Sequence, residues 1–174
     1  SKNCQMLLGM IDDMLDMSQI QSGQMVLYKS EFSVNEVLEG IYHTYIKELN
    51  ELGFKDITLI LDLDSEIKNY NLYTDRARFK QILTKLLSNA FKFTEKGTIR
   101  MGYHPLFDSE FVQDPSMLQF FVEDTGIGIP EDRLEKIFIR FYRVEDNRFP
   151  RQEGTGIGLT IVSEYIKLMG GSIK

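Results

Sequence analysis

Cysteine appears once in the 174 residues, at Cys4. That excludes an internal disulfide and a cysteine-rich metal site, and it fits a reducing compartment. Histidine appears twice, His43 in a helical stretch among aromatics and His104 at a strand end; with no companion ligand near either, both read as structural. No apolar run approaches the roughly 20 residues that a bilayer crossing needs, and no signal-peptide pattern opens the chain, so this piece is expected to be soluble. Basic residues are outnumbered, 20 Lys and Arg against 26 Asp and Glu, for a formal net charge of −6. A duplex binder usually neutralises phosphates with a net basic face, so no nucleic-acid partner is expected and local basic residues must do any phosphate work. Also missing are a GxxxxGK[ST] loop, an HRD or DFG set and a GxGxxG opening a βαβ unit, which sets aside three common phosphate-binding folds. Low-complexity tracts and internal repeats are absent too.

What is present is an ordinary globular balance, 43% hydrophobic and 26% charged residues, enough for one core and an appendage. Lys2 to about Ser22 reads as one helix ended by Gly23, with Leu7, Met10, Ile11, Met14, Leu15 and Met17 on a broad apolar face and Asp12, Asp13 and Asp16 facing elsewhere. The stripe of Met6, Met10, Met14 and Met17 is read as helix packing rather than a promiscuous methionine surface. Such a helix needs a partner, from the rest of the molecule or from a second copy, and is a candidate oligomerisation arm. After an extended stretch, Met25 to Lys29, Ser33 to Glu36 has capping-box spacing and opens a helix with Val37, Leu38, Ile41, Tyr45 and Leu49 inward, stopping near Gly53. Ile57 to Leu63 alternates as a covered strand. Asp75 begins a helix in which Phe79, Ile82, Leu83, Leu86, Leu87 and Ala90 form a clean apolar stripe. Strands are expected over Thr98 to His104 and Leu118 to Asp124, a short helix over Glu131 to Ile137, and a final helix with Val162, Tyr165, Ile166 and Met169 inward. Glu145 to Gly154 lacks periodicity and contains Pro150, as either a mobile lid or a passive surface loop would.

Three motifs carry chemistry: SNAFKFT (Ser88 to Thr94), EDTGIGIP (Glu123 to Pro130) and GTGIGL (Gly154 to Leu159). Lys85, Asn89 and Lys92 form a polar stripe beside the apolar one. A solvated face is the plain alternative, but the small amide of Asn89 at the edge of the apolar stripe is placed to look into a cleft. A neutral amide oxygen suits Mg²⁺ when nucleotide phosphates supply the negative charge, and Lys92 would then meet phosphate oxygens. Asp124 ends its strand on the apolar side, where an unpaired carboxylate is costly and needs a donor. An adenine amino group is such a donor; an Asx turn or a helix cap is the alternative. Gly126 and Gly128 allow a tight turn against a ligand ring. Gly154, Gly156 and Gly158 lead into a helix whose first amides attract phosphate, unless they form only a turn. The combination points to ATP.

In their order, SNAFKFT, DTGIGIP, IFIRFYR and GTGIGL resemble the N box, first glycine box, F box and second glycine box of the ATP-binding domain of bacterial sensor histidine kinases, within the wider superfamily of gyrase, Hsp90 and MutL. The likeness runs from Phe32 to the end. Met10 to Met25 is similar to the second helix of the dimerisation and histidine-phosphotransfer hairpin of such kinases. The resemblance implies a hairpin helix over residues 1–24 and a catalytic domain over 25–174. It also implies that Asn89 holds Mg²⁺, Lys92 contacts phosphate, Phe93 flanks the nucleotide and Asp124 bonds adenine, with Gly126 and Gly128 closing the pocket. Arg143, and less surely Arg148 or Arg151, would be lid contacts, and Thr155, Gly156, Ile157, Gly158 and Leu159 would line the phosphates. The implied chemistry is transfer of the ATP γ-phosphoryl to a histidine nitrogen. Implied partners are a phosphoacceptor helix, a response-regulator receiver domain and a second copy of the parent protein, with the kinase on the cytoplasmic side.

Three departures qualify that picture. No segment matches the phosphoacceptor helix, so this chain is not expected to phosphorylate itself in the family's manner, and no catalytic residue is assigned. Lys85 stands where these kinases usually carry Asn or His and the superfamily's hydrolases carry a water-activating Glu. Hydrolysis is therefore disfavoured, while phosphate neutralisation and weakened metal binding both stay open for Lys85. The chain stops at GGSIK (Gly170 to Lys174), where the family continues, so an incomplete sheet edge is expected. The expected fold is an α/β two-layer sandwich, a mixed sheet covered on one face by helices, truncated in its C-terminal strands and preceded by a long dimerisation helix. Alternatives on the same fold are an ATPase or anti-sigma-type Ser kinase, and a module that binds only a nucleotide or a partner.

Overall fold

The computed structural model describes residues 2–53, 56–63, 70–105, 117–143 and 155–174. Its elements are α1 (Lys2–Gln21), β1 (Ser30–Ser33), α2 (Val34–Leu52), β2 (Ile57–Asp62), β3 (Asn71–Thr74), α3 (Arg76–Phe93), β4 (Gly97–Pro105), β5 (Leu118–Asp124), a 3-10 turn (Glu131–Arg133) and α4 (Gly158–Leu168). They gather into two compact units. An arm unit comprises Ser1–Lys29, Thr74–Lys85 and Ile129–Lys174, and a sheet unit comprises Ser30–Tyr73 and Leu86–Gly128.

In the sheet unit the strand order is β2-β4-β5. β2 runs parallel to β4, with Ile57 beside Gly97, and β4 runs antiparallel to β5, with Ile99 opposite Asp124. The sheet is mixed, as expected. α2 starts where Ser33 Oγ accepts the Glu36 N–H (3.4 Å) and ends at Gly53, whose left-handed backbone (φ 72°) returns its N–H to the Leu49 carbonyl. Between those ends Val34, Val37, Leu38, Ile41 and Leu49 are buried, and α2 packs on β2. The fully buried Tyr103 of β4 donates its hydroxyl to Asn35 Oδ1 (2.8 Å), which fixes α2 to the centre of the sheet. Tyr45 of α2 stacks on Phe91 of α3, with centroids 5.0 Å apart and planes 5° from parallel. Burial first, and Glu48 second, push the Tyr45 hydroxyl pKa up to about 12. Ile99, Met101 and Tyr103 point to this helix-covered face. Residues of alternate parity point the other way, where Arg100 pairs with Asp62 of β2 and Glu123 of β5 and ties three strands together. β1 and β3 pair as a separate two-stranded sheet. Neither strand was expected; SEFS and NLYT are four residues each and too short to show a period.

In the arm unit Ile157, Ile161, Val162 and Tyr165 are buried beneath α4, and Phe79, Ile82 and Leu83 beneath the first turns of α3. Asp75, itself buried, caps α3 by accepting the Arg78 N–H at Oδ1 (3.0 Å), and its Oδ2 accepts the Tyr28 N–H (2.9 Å). α1 packs against α4, but with only the Met10 and Met17 edge of its apolar stripe turned inward. Met17 is buried, while Leu7, Leu8, Ile11, Met14 and Leu15 are exposed. The polar groups beside Met17 are acidic. Asp16 accepts from Arg78 Nη1 (3.0 Å) and from Gln81 Nε2 (2.8 Å), and Asp13 pairs with Lys85 Nζ. Arg78 also lies 5.0 Å from the centroid of the Tyr165 ring. Sequence periodicity ranks residues by hydropathy alone, and it has no way to weigh the donors Arg78, Gln81 and Lys85 that the first turns of α3 hold out to α1.

Candidate nucleotide site

The residues singled out by sequence fall into two groups, one in each unit. In the sheet unit, the last turn of α3 carries Asn89, Lys92 and Phe93. Asn89 is half-buried, and Lys92 Nζ lies 5.1 Å from the centroid of the Phe93 ring. The turn is anchored by the Tyr45–Phe91 stack. Beyond it the Phe93 carbonyl accepts the Ile127 N–H (3.2 Å), and buried Thr94 brings its hydroxyl to 3.5 Å from Asp124 Oδ1. The same Oδ1 accepts the Gly126 N–H (2.9 Å). The N box and first glycine box are thus bonded to each other. Gly126 has to be glycine, since a Cβ there would sit 2.2 Å from the Phe93 carbonyl oxygen and 2.7 Å from Asp124 Oδ1. Gly128 has φ +68°, the left-handed region.

Asp124 differs from its expected setting. It is exposed rather than covered, because it is the last residue of β5, which ends the strand order, and its protein donors come from an Asx-type turn and Thr94. The structure therefore supplies what the plain alternative required, and in doing so it fixes Oδ1 and leaves Oδ2 without a protein partner among the described residues.

In the arm unit, the F box and second glycine box are joined in the same manner. Glu131–Arg133 is a 3-10 turn, and the expected helix does not extend to Ile137. Successive turns follow instead, with Lys136, Ile139 and Tyr142 each donating an N–H to the carbonyl three residues back. Leu134, Ile139 and Phe141 are exposed, so no inward stripe holds an α-helix here. Arg133 Nη1 donates to the Tyr142 hydroxyl (2.7 Å), and Thr160 Oγ1 donates to the Phe138 carbonyl (3.0 Å). Phe141, at φ 60°, donates its N–H to the Gly156 carbonyl (3.0 Å). Gly156 has φ +70°, and a Cβ there would come within 2.9 Å of the Phe141 carbonyl carbon. Thr155 Oγ1 accepts the Ile157 N–H (3.2 Å), Ile157 is buried, and half-buried Gly158 and Leu159 open α4. Arg143 is exposed at the end of the F box. Arg148, Arg151, Gly154 and the lid-like stretch from Glu145 lie outside the described residues.

Lys85, left open by sequence, is engaged by Asp13 of α1. Sequence reading gave no role to Thr94, Phe141, Asp13 or Asp16. Thr94 and Phe141 left a trace only as members of SNAFKFT and IFIRFYR. As to Mg²⁺, no group of three or more His, Cys, Asp or Glu among the described residues is placed to hold a metal ion. The donor set fits an ion that takes one amide oxygen from the protein and the rest of its shell from phosphates and water.

Residues 74–174, more than half of the chain, match the family of histidine kinase-, DNA gyrase B-, and HSP90-like ATPases, and the chain belongs to that family. Within it the similarity is to histidine kinases. The chain is 34% identical over 168 residues to hybrid signal transduction histidine kinase B of Dictyostelium discoideum, covering 97% of this chain and 8% of that one. It is likewise 34% identical over 173 residues to the autoinducer 2 sensor kinase/phosphatase LuxQ of Vibrio parahaemolyticus, covering 97% and 19%. The chain thus spans less than a quarter of the length of these relatives. Among solved structures, full-length ShkA in complex with AMPPNP aligns with TM-score 0.74 and 26% identity over 94% of this chain and 31% of that one. The Acinetobacter baumannii histidine kinase AdeS shares the fold, with TM-score 0.73 and 22% identity over 99% and 73%. Fold and family therefore define a histidine-kinase-type ATP-binding catalytic domain.

Proposed function

We propose that this domain binds ATP with Mg²⁺ and donates the γ-phosphoryl group to a histidine on a separate helix of the parent protein, for onward transfer to an aspartate of a response-regulator receiver domain. The observation that carries the reading is the junction of Phe93, Thr94, Asp124 and Gly126. It holds the Asp124 carboxylate by one oxygen and offers the other to a donor such as the adenine amino group, a preorganised arrangement that costs little on binding. Asn89 would hold Mg²⁺ and Lys92 a phosphate oxygen, with Phe93 flanking the nucleotide and Gly126 and Gly128 admitting it closely. Arg143 would be a lid contact, and Thr155 to Leu159 would line the phosphates. Bound Mg²⁺ would neutralise phosphate charge, and the chain's own contribution is to position the γ-phosphorus for in-line attack. A lysine one turn before Asn89, where a hydrolase needs a carboxylate to activate water, supports transfer over hydrolysis. The exposed leucines of α1 support a dimer of the parent protein. Cytoplasmic location accompanies this reading.

The test is calorimetric titration of ATP, with and without Mg²⁺, into the chain and its Asp124→Asn variant. Micromolar binding that weakens at least about tenfold in the variant, a loss of roughly 1.4 kcal/mol, is the expected result. Absence of binding by the unsubstituted chain would favour a partner-binding module on the same fold.

A further inference from the structure

The pair of Asp13 and Lys85 is placed where α1 meets the helix that carries the N box. Both side chains are largely withdrawn from solvent, 14% and 19% exposed. Lys85 stands one turn ahead of Asn89 on α3, and Lys85, Asn89 and Lys92 fall on one stripe of that helix. Any phosphate met by Asn89 and Lys92 is then within reach of a long, flexible ammonium side chain one turn away. Paired with Asp13, that ammonium has its charge compensated. Released, it can add a positive charge beside the phosphates.

The manner in which α1 is held suits release. Beside the buried Met17, its inward contacts are Asp13 to Lys85 and Asp16 to Arg78 and Gln81, and its leucines stay outside. A concavity of about 350 Å³ lined by Asp12, Leu15, Asp16, Gln19, Arg78 and Gln81 runs alongside these contacts. Ion pairs largely withdrawn from solvent gain little net free energy, because the cost of desolvating both charges offsets their attraction, whereas a face of buried leucines would hold α1 firmly.

We propose that Asp13 is a latch on Lys85. With α1 seated, the carboxylate occupies the ammonium; with α1 lifted, Lys85 turns to the nucleotide phosphates and tightens their binding. This rests on the assignment of Asn89 and Lys92 to the phosphate end of a nucleotide. Reciprocity follows, since a ligand that draws Lys85 away from Asp13 loosens α1 to the same extent that loosening α1 favours the ligand.

The experiment uses the 174-residue chain and its Asp13→Asn, Lys85→Met and doubly substituted variants, titrated with ATP and, as a probe without phosphates, adenosine. Asp13→Asn should bind ATP about fivefold tighter than the unsubstituted chain, adenosine affinity should not change, and the gain should vanish in the double variant. Amide hydrogen exchange of unsubstituted α1 gives a readout that needs no substitution: ATP should accelerate it and adenosine should not. Equal ATP affinity in Asp13→Asn and the unsubstituted chain, both dependent on Asp124, overturns the latch while leaving the nucleotide site standing. A gain that survives in the double variant, a gain shared by adenosine, or α1 exchange indifferent to ATP overturns it as well. No binding of ATP by any form would remove the nucleotide site and the latch together.

Discussion

α1 and α2 are nearly the same length, 20 and 19 residues, and each carries an apolar stripe, yet they use it in opposite ways. α2 buries Val37, Leu38, Ile41 and Leu49 and leaves its charged residues outside. α1 turns Asp13 and Asp16 inward and presents Leu7, Leu8, Ile11, Met14 and Leu15 to solvent. The difference teaches that an apolar stripe marks where a helix finds its final partner, and that the partner can be a different surface from the one the same chain supplies. Hydrogen-bonding complementarity to Arg78, Gln81 and Lys85 selects the inner face of α1, while hydropathy selects that of α2.

The sharpest test sets Leu38→Ala against Leu15→Ala. Leu38 is 0% exposed and Leu15 56%. The first change removes a fully packed side chain and should cost about 2–5 kcal/mol in chemical denaturation, and the second should stay within about 0.5 kcal/mol. Comparable losses at the two positions would erase the contrast. The next effect in size is on the acidic face. Asp16→Ala leaves Arg78 without its carboxylate and Gln81 without an acceptor, and should cost about 1–3 kcal/mol, more than any single exposed leucine of α1. The loss should shrink in high salt, since screening already weakens the pair in the unsubstituted chain. A smaller effect is expected at the start of α2, where Ser33→Ala removes the acceptor for the Glu36 N–H and should lower stability by about 1 kcal/mol.

Legibility in the sequence followed a similar line. The α2 and α3 stripes, the capping Ser33, the closing Gly53 and the bounds of β5 could all be read from spacing, because local periodicity and burial agree there. β1 and β3 could not, because four-residue strands carry no period. Glu131 to Ile137 looked helical by composition, but its apolar residues find no surface to cover and the chain settles into turns. Within the candidate site, the motif glycines were readable as glycines, whereas the groups that oblige them to be so are distant in sequence: the Phe93 carbonyl for Gly126 and the backbone of Phe141 for Gly156. Asp124 was legible as a carboxylate opening a glycine turn and misjudged in burial, since alternation along β5 says which way a side chain points and not whether anything covers it.

The smallest expected change in stability belongs to the pair Leu8→Ser and Leu15→Ser, and it is the one that bears most directly on what the apolar face of α1 is for. Both residues are more than half exposed, so replacing them removes no packed contact within the chain, and thermal unfolding at low concentration should barely move. Self-association should respond very differently. A stripe of leucines and methionines on a 20-residue helix is suited to pack against a second copy of itself, and each serine would place an unmatched hydroxyl in that seam. Sedimentation velocity over a concentration series should show the unsubstituted chain forming a dimer that the double variant has lost. If the two associate equally, the outer face of α1 is meant for some other surface, and its contrast with α2 would then be one of exposure alone.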